Sequence, residues 1–395
     1  MQVSLSQFAI VDGMKKLGTA LIALCIITVA FAGCLTLDSS QMGFDSDSVS
    51  APAIVNADVV TIPKPQTLTP PGTGVCLTWN WNITEDIYAG YGGALRLTVN
   101  NNDNNGKYYV YSFGLRWDTD QSTFRNCSVY IPPGQSAQLG LLTFNAPSEE
   151  GIHSYRTVLK IASWNHCTKA WYDHGEVISE KWRSVVVKSL GNSCEYRVEH
   201  NFRPYYNDVN SRVNYGATSE AIEEIKNAQP GEYNTLQVAE AYEWVRNNIA
   251  YKSDGDVDYW QSAEETLELR TGDCEDQAIL LASIIGALGG NARVNIIQSH
   301  AFPTVFVGTT FQDMSDVRCS IASYYGLGPN ELNVAYMEDD MGYWLVIDTT
   351  GFPYAGGIPA QSVPTSASGD WTIKSDYIYP IDATGKTSGF FFGLF

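Results

Sequence analysis

The stretch Arg270 to Leu281, RTGDCEDQAILL, puts the strongest constraint on how this chain folds. Asp273 suits a helix N-cap, and Asp276 stands at the position whose carboxylate completes a capping box, so Cys274 is expected to be the first helical residue. Ala278, Leu281, Ala282 and Ile285 then recur at the spacing of a buried helix, and Gly289-Gly290 stop it. Upstream, Ala221, Ile222 and Ile225 share one helical face, as do Val238, Ala241, Tyr242, Val245 and Ile249. Downstream come strand-like segments at Arg293 to Gln298, Ala301 to Thr309, Asn333 to Met337 and Tyr343 to Thr349. Helices followed by strands predict an α+β domain from about residue 193 to the end of the 395-residue chain.

The half before it reads differently. In Ala94 to Val99 leucine and valine alternate with polar residues at period two, and Tyr108 to Asp118, Ser128 to Ile131, Gln138 to Phe144, Tyr155 to Ile161 and Val185 to Leu190 repeat the theme. Turns such as PPGQ and APSEEG separate them, so 73–192 is expected to be an all-β, immunoglobulin-like sandwich. Asn82 and Asn126 begin N-glycosylation sequons. His153, His166, His174 and His200 have no nucleophile or ligand partner at a suggestive spacing, which leaves them packing or surface roles.

Residues from Met14 give two lysines, an apolar stretch and small residues before Cys34, the pattern of a secretory signal. Met14 is the better start, and Phe31-Ala32-Gly33-Cys34 is similar to the lipobox of prokaryotic lipoproteins, whose cysteine is lipidated. The alternative is an uncleaved anchor over Leu17 to Leu35. Either way the expectation is an extracytoplasmic protein attached to the membrane, with 1–34 as signal and 35–72 as a tether reaching about 35 Å. The closing GFFFGLF is too short to cross a bilayer. A balance of 24 Lys+Arg against 43 Asp+Glu gives a net charge of −19, which argues against nucleic acid and anionic lipid as partners.

Six cysteines remain after the signal: Cys76, Cys127, Cys167, Cys194, Cys274 and Cys319. Disulfides are allowed outside the cell, and the first four admit three connectivities among which sequence does not choose. No CxxC and no zinc spacing occurs, so neither a metal nor a cofactor is expected. Cys274 is the chemical question. A thiol at a helix N-terminus gains from the macrodipole, and free backbone N–H groups there can hold an oxyanion. Glu275 and Asp276 oppose the thiolate, so a base is needed. His300, opening HAFPTVFVG at the junction of two strand-like segments, is the candidate base, and Asp348 in YWLVIDTTG is the candidate orienting acid.

ETLELRTGDCEDQAILLASIIGALGGNARV, HAFPTVFVG and YWLVIDTTG together resemble the core of the transglutaminase-like superfamily. The family's marks are a GDCxD cysteine motif on a helix, a His-Ala-aromatic motif on the next strands, and an aspartate followed by Pro-Thr. The resemblance spans about 215–352 and implies a papain-like core in which Cys274 is the nucleophile, His300 the general base and Asp348 the orienting acid. Two departures stand out: Thr349-Thr350 replaces Pro-Thr, and an insertion, 310–341, separates the histidine strand from the aspartate strand. A lid, a specificity element and a disulfide-tied excursion are all open for it. The aromatic residue that assists the oxyanion hole in some members falls on Trp260 or Trp244, and no motif chooses.

The resemblance implies an acyl-enzyme reaction on peptide or protein substrates at the cell surface. Water as acceptor gives hydrolysis of a peptide or isopeptide bond, the favoured outcome, and an amine gives transamidation. The rival is a non-catalytic surface binding protein that uses the sandwich and carries a vestigial triad. Asp254, Asp256, Asp258 and Glu265 also follow the spacing of an EF-hand loop, but Tyr259 stands where that loop needs glycine, so an ordinary acidic loop is preferred.

Overall fold

A computed structural model describes residues 63–70, 74–199, 203–255 and 257–385. The expected signal, the lipobox with Cys34, nearly all of the tether, His200, Asp256 and the closing GFFFGLF lie outside the described residues. No helix among the described residues is long and apolar enough to cross a membrane.

Alternating leucine and valine do build strands here. Among the described residues, ten strands make up the first half: β1 (Thr67–Leu68), β2 (Leu77–Ile83), β3 (Ile87–Tyr88), β4 (Gly93–Asn101), β5 (Tyr108–Trp117), β6 (Ser122–Ile131), β7 (Ser136–Phe144), β8 (Gly151–Asn165), β9 (Ala170–Ile178) and β10 (Arg183–Lys188). β2-β4-β7 form a three-stranded sheet that faces a seven-stranded one in which β8 pairs β5, β9 and β10. Leu95, Leu97 and Val99 of β4, Phe113, Leu115 and Trp117 of β5, and Leu159 and Ile161 of β8 close the space between the sheets. Each is at most 1 % exposed, the burial that drives the two faces together. The region is a β-sandwich, as the alternation implies.

Helices enter after β11 (Arg197–Val198). They are α1 (Arg203–Asn210), α2 (Ser219–Ala228), α3 (Thr235–Asn248), α4 (Ala263–Leu269), α5 (Cys274–Leu288) and α6 (Phe311–Tyr324). The remaining strands are β12 (Ala250–Tyr251), β13 (Thr271–Gly272), β14 (Ala292–Ile297), β15 (His300–Gly308), β16 (Tyr336–Asp339), β17 (Gly342–Val346), β18 (Ser362–Pro364), β19 (Trp371–Ile373) and β20 (Tyr377–Asp382). A six-stranded sheet, β11-β20-β14-β15-β17-β16, is antiparallel except at β11–β20, and α5 packs across β14 and β15. Ile279 to Ala282, Ile284 and Ile285 are all fully buried, so α5 is the helix around which the domain closes. Gly289, at φ 101°, takes the left-handed cap that ends it. The second half is therefore an α+β domain with a papain-like arrangement of one buried helix against an antiparallel sheet.

The insertion is part of that domain. Thr310 caps α6 by accepting from Asp313 N at 3.2 Å, Met314, Val317 and Ile321 pack into the core, and β16 adds the edge strand beside β17. All six described cysteines are unpaired thiols. His153 lies 3.5 Å from Asp118, and His174 bonds Ser163 Oγ at 2.7 Å, so both have local partners within the sandwich.

Candidate active site

α5 begins where the motif requires. Asp273 is in an extended conformation and its N–H donates to Asp276 Oδ2 at 3.3 Å, while Asp276 Oδ1 accepts from Gln261 N at 2.7 Å. Gly272 is needed next to them, because a Cβ there would stand 2.7 Å from that of Asp276. Burial pushes the Asp276 carboxyl up to about 6, against the pull of the Gln261 N–H. Cys274 follows as the first helical residue, half-buried beneath β15.

The tight turn at Gln298-Ser299, with Ser299 at φ 61°, returns the chain so that His300 pairs with Ile297 and opens β15. β15 and β17 then run side by side with Thr304 opposite Val346, and Asp348 lies just past the end of β17. This register brings His300 Nε2 within 2.8 Å of Asp348 Oδ2, although 48 residues separate them. Phe302 stacks on the imidazole, ring centroids 6.0 Å apart. Asp348 Oδ2 also accepts from Ala360 N at 2.8 Å, and Oδ1 accepts from Thr350 N at 2.9 Å and Thr350 Oγ1 at 2.8 Å. Burial pushes this carboxyl up, but the imidazole and the Ala360 and Thr350 N–H groups outweigh it and hold it below the usual carboxylate range. With Nε2 committed to Asp348, Nδ1 is the ring nitrogen left for chemistry.

Cys274 joins that pair only in part. The backbone N–H of Ala301, the residue after His300, favours its thiolate, against the larger effects of burial and of Glu275. The thiol proton goes elsewhere: Sγ donates to Glu275 Oε2 at 3.0 Å rather than to the imidazole. Burial, then the Glu275 charge, pushes the thiol well above its usual range. Glu275 itself is pushed up to about 8, first by burial and further by the Asp273 charge. The dipole of α5 therefore meets a resting arrangement in which the proton stays on sulfur, and thiolate formation needs a base.

Two contributors were not visible in the sequence. Gln277, one turn after Cys274, accepts from Thr349 Oγ1 at 2.7 Å and donates to Gly272 O at 3.1 Å, so it ties the aspartate segment to the cysteine turn. Its spacing from Cys274, on the same helix face, was the available signal. Tyr251, 60 % exposed, pairs with Gly272 through β12–β13 and feels the charges of Cys274, Asp273 and Glu275. Trp244 is committed to the core, its Nε1 donating to Glu224 at 2.6 Å, which leaves Trp260, stacked on Tyr205, as the upstream aromatic nearer the surface.

This is the site of a transglutaminase-like domain. The family model of the transglutaminase-like superfamily matches residues 220–312, a span that takes in Cys274 and His300 and stops short of Asp348. Residues 220–312 thus form a transglutaminase-like domain. No curated protein matches it. Among solved structures, ASH/PapD-like domain 7 of human CEP192 is similar at 13% identity over 35% of this chain and 99% of that one, with a TM-score of 0.17. A protein named as a candidate cysteine protease from Cytophaga hutchinsonii gives 10% identity over 79% of this chain and 91% of that one, TM-score 0.23. Alpha-2-macroglobulin from Escherichia coli, from domain MG7 to its C-terminus, gives 12% over 65% and 40%, TM-score 0.21. Scores this low carry no argument; the family match does.

Proposed function

We propose that the protein is a thiol-dependent acyl-transfer enzyme acting on peptide or protein amides at the cell surface, with hydrolysis of a peptide or isopeptide bond as its main reaction. Cys274 attacks the carbonyl carbon after giving its proton to His300 Nδ1. The Cys274 N–H at the start of α5 donates to the oxyanion, His300 returns the proton to the departing amine, and water cleaves the thioester. An amine in place of water gives transamidation by the same path. Asp348 orients the imidazole and stabilises its charged form. Export and attachment through Cys34, and the division into a sandwich over 73–192 and an enzyme domain beyond it, belong to the same proposal. The observation that carries it is the buried His300–Asp348 pair at 2.8 Å, set beside a cysteine that begins a buried helix.

The test is labelling of the full chain with a thiol-directed activity probe beside His300→Ala, followed by a screen of peptide and amine acceptors. Loss of labelling in the variant supports the reading; equal labelling of the two refutes it. One observation favours the rival, a binding protein with a silent triad: the Cys274 thiol bonds Glu275 and is pushed up in pKa. Under that reading neither form is labelled faster than an ordinary thiol at neutral pH.

A further inference from the structure

The sandwich and α3 enclose a cleft of about 330 Å³ on the outer face of β2-β4-β7. Leu95, Leu97 and Val99 of β4 point into the sandwich core, so Arg96 and Thr98 between them point out. Strand register sets Asn82 beside Arg96 and lines up Asn80, Thr98 and Gln138 across all three strands. Glu243, Arg246 and Asn247, which share one face of α3, close the cleft from the other side. Every side chain that lines it except Trp81 is polar.

The charge in the cleft is unbalanced. Arg96 pairs with Glu243, whose Oε1 also accepts from the Tyr325 hydroxyl at 2.8 Å, so this acid is already neutralised. Arg246 has no carboxylate partner among the described residues, and its Nη1 is closed to water with no hydrogen-bond acceptor. A guanidinium nitrogen withdrawn from water without an acceptor is costly. The chain carries 43 Asp+Glu against 24 Lys+Arg, so composition does not explain an arginine left without a carboxylate. Asn80, Asn82, Gln138 and Asn247 are exposed, and their side-chain amides bond no described residue, which leaves them free to turn toward a ligand.

We propose that this cleft binds a hydrophilic monocarboxylate: Arg246 takes the carboxylate, and the amides and the Thr98 hydroxyl take the polar groups next to it. A guanidinium presents a planar fork that matches a carboxylate with two parallel hydrogen bonds. One uncompensated positive charge suits a monoanion, whereas a phosphate dianion would leave negative charge facing Glu243. Walls with so little apolar surface do not suit a fatty or aromatic acid. The volume lies at the small end of ligand sites, the size of a sugar acid or the last residues of a peptide. Both present a carboxylate beside hydrogen-bonding groups, and either would bridge β2-β4-β7 to α3. The site stands whether or not Cys274 is a nucleophile.

The test is isothermal titration calorimetry of the full chain, produced without glycosylation because Asn82 begins a sequon and lines the cleft. The probes are glucuronate and triglycine, with glucose and triglycine amide as analogues that lack the carboxylate, and inorganic phosphate. Saturable binding of at least one carboxylate is expected, at least about tenfold tighter than that of its analogue, and the tighter of the two identifies the source. Arg246→Gln, which removes no hydrogen bond to a described residue, should weaken it at least about tenfold. Asn247→Asp sets a second carboxylate beside the ligand's with almost no change of shape and should weaken it at least about fivefold. Arg197→Gln, an exposed position on β11, should change it less than about twofold. The proposal is overturned by no saturable binding of either carboxylate, by equal binding of the analogues, or by tighter binding of phosphate. Affinity unchanged in both Arg246→Gln and Asn247→Asp would overturn it too, because the ligand then sits elsewhere.

Discussion

Asp348→Asn tests the buried pair with a change of one heavy atom. The carboxylate accepts four hydrogen bonds, two on each oxygen: Thr350 N and Oγ1 on Oδ1, His300 Nε2 and Ala360 N on Oδ2. An amide can offer an oxygen to only one of these sides. Facing Thr350 with its NH2, it is met by a hydroxyl that can rotate to accept and by a backbone N–H that cannot. Facing the other side, it is met by an imidazole that can present a bare Nε2 and by the Ala360 N–H, which cannot adapt. Each orientation strands one buried backbone donor, at a cost of about 1–3 kcal/mol, and removes the charge-assisted share of the surviving bonds, about 1 kcal/mol more. Urea unfolding at pH 7 should therefore give a loss of about 2–4 kcal/mol. The pH dependence has a definite sign. A carboxyl held below its ordinary 3.8 contributes stability that is complete above that value and is lost as pH falls beneath it, so wild type and variant should converge as pH drops below about 4. On the enzyme reading, probe labelling of the variant should also slow by about 10³-fold or more. A loss below about 0.5 kcal/mol at pH 7, or curves that stay parallel in acid, would refute the hydrogen-bond accounting.

Gln277→Leu keeps volume but removes the link between Thr349 and Gly272; about 1–3 kcal/mol should be lost in denaturant unfolding, and a neutral result would mean those bonds are exchanged for water. Native-state alkylation with peptide mapping should modify exposed Cys76, Cys167 and Cys194 quickly at pH 8. Cys127 should resist, because burial pushes its thiol up to about 12 against the opposing Arg125 charge; equal rates at all four would contradict this. Arg293→Met removes the cation that bonds Asp382 at 2.7 Å, pairs with Asp339 and lies 3.6 Å from the Trp344 ring centre. It should cost about 3–5 kcal/mol by leaving carboxylates buried without a counter-charge, and a loss under about 1 kcal/mol would show that they are rehydrated.

Sequence reading located elements whose periodicity is carried by apolar side chains and overlooked those in which aromatic residues do the same work with polar edges. Leu95, Leu97 and Val99 announce β4. LTWNWNI did not announce β2, because Trp79 and Trp81 are only half-buried and bond Thr157 Oγ1 at 2.9 Å and Tyr155 Oη at 3.0 Å through their indole N–H groups. α6 was hidden by being read as an insertion, although Thr310 and Asp313 stand at capping-box spacing before Met314, Val317 and Ile321. In the site, helix rules place Cys274 at the first turn. Its relation to His300 and Asp348 depends on the β14–β15 turn and the β15–β17 register, which no local pattern specifies. The opposition of Glu275 to the thiolate was legible from adjacency; the direct S–H bond to it was not, because that depends on rotamers. Cysteine counting left disulfide pairing open for the same reason, since only strand register decides which sulfurs meet.

The insertion gains its meaning from the sandwich. The three-stranded sheet β2-β4-β7 turns one face to the sandwich core and gives Ala94 and Leu141 to the core of the second domain. On that face Arg96 of β4 pairs with Glu243 of α3 and donates to Pro353 O at 3.0 Å. Thr143 of β7 donates to Glu331 O at 2.6 Å, and Arg125 of β6 donates to Tyr325 O at 2.6 Å and Gly326 O at 3.0 Å. Tyr325, buried just past the end of α6, donates its hydroxyl to Glu243 at 2.8 Å. Glu331, Tyr325 and Gly326 all belong to 310–341, and Glu243 sits on the helix against which α6 packs. The segment that looked like an excursion from the family pattern is thus a brace: it completes one edge of the six-stranded sheet through β16 and fixes the sandwich against α3 through its carbonyls. A lid would need few buried contacts and exposed backbone hydrogen bonds, whereas Met314, Val317 and Ile321 are at most 2 % exposed.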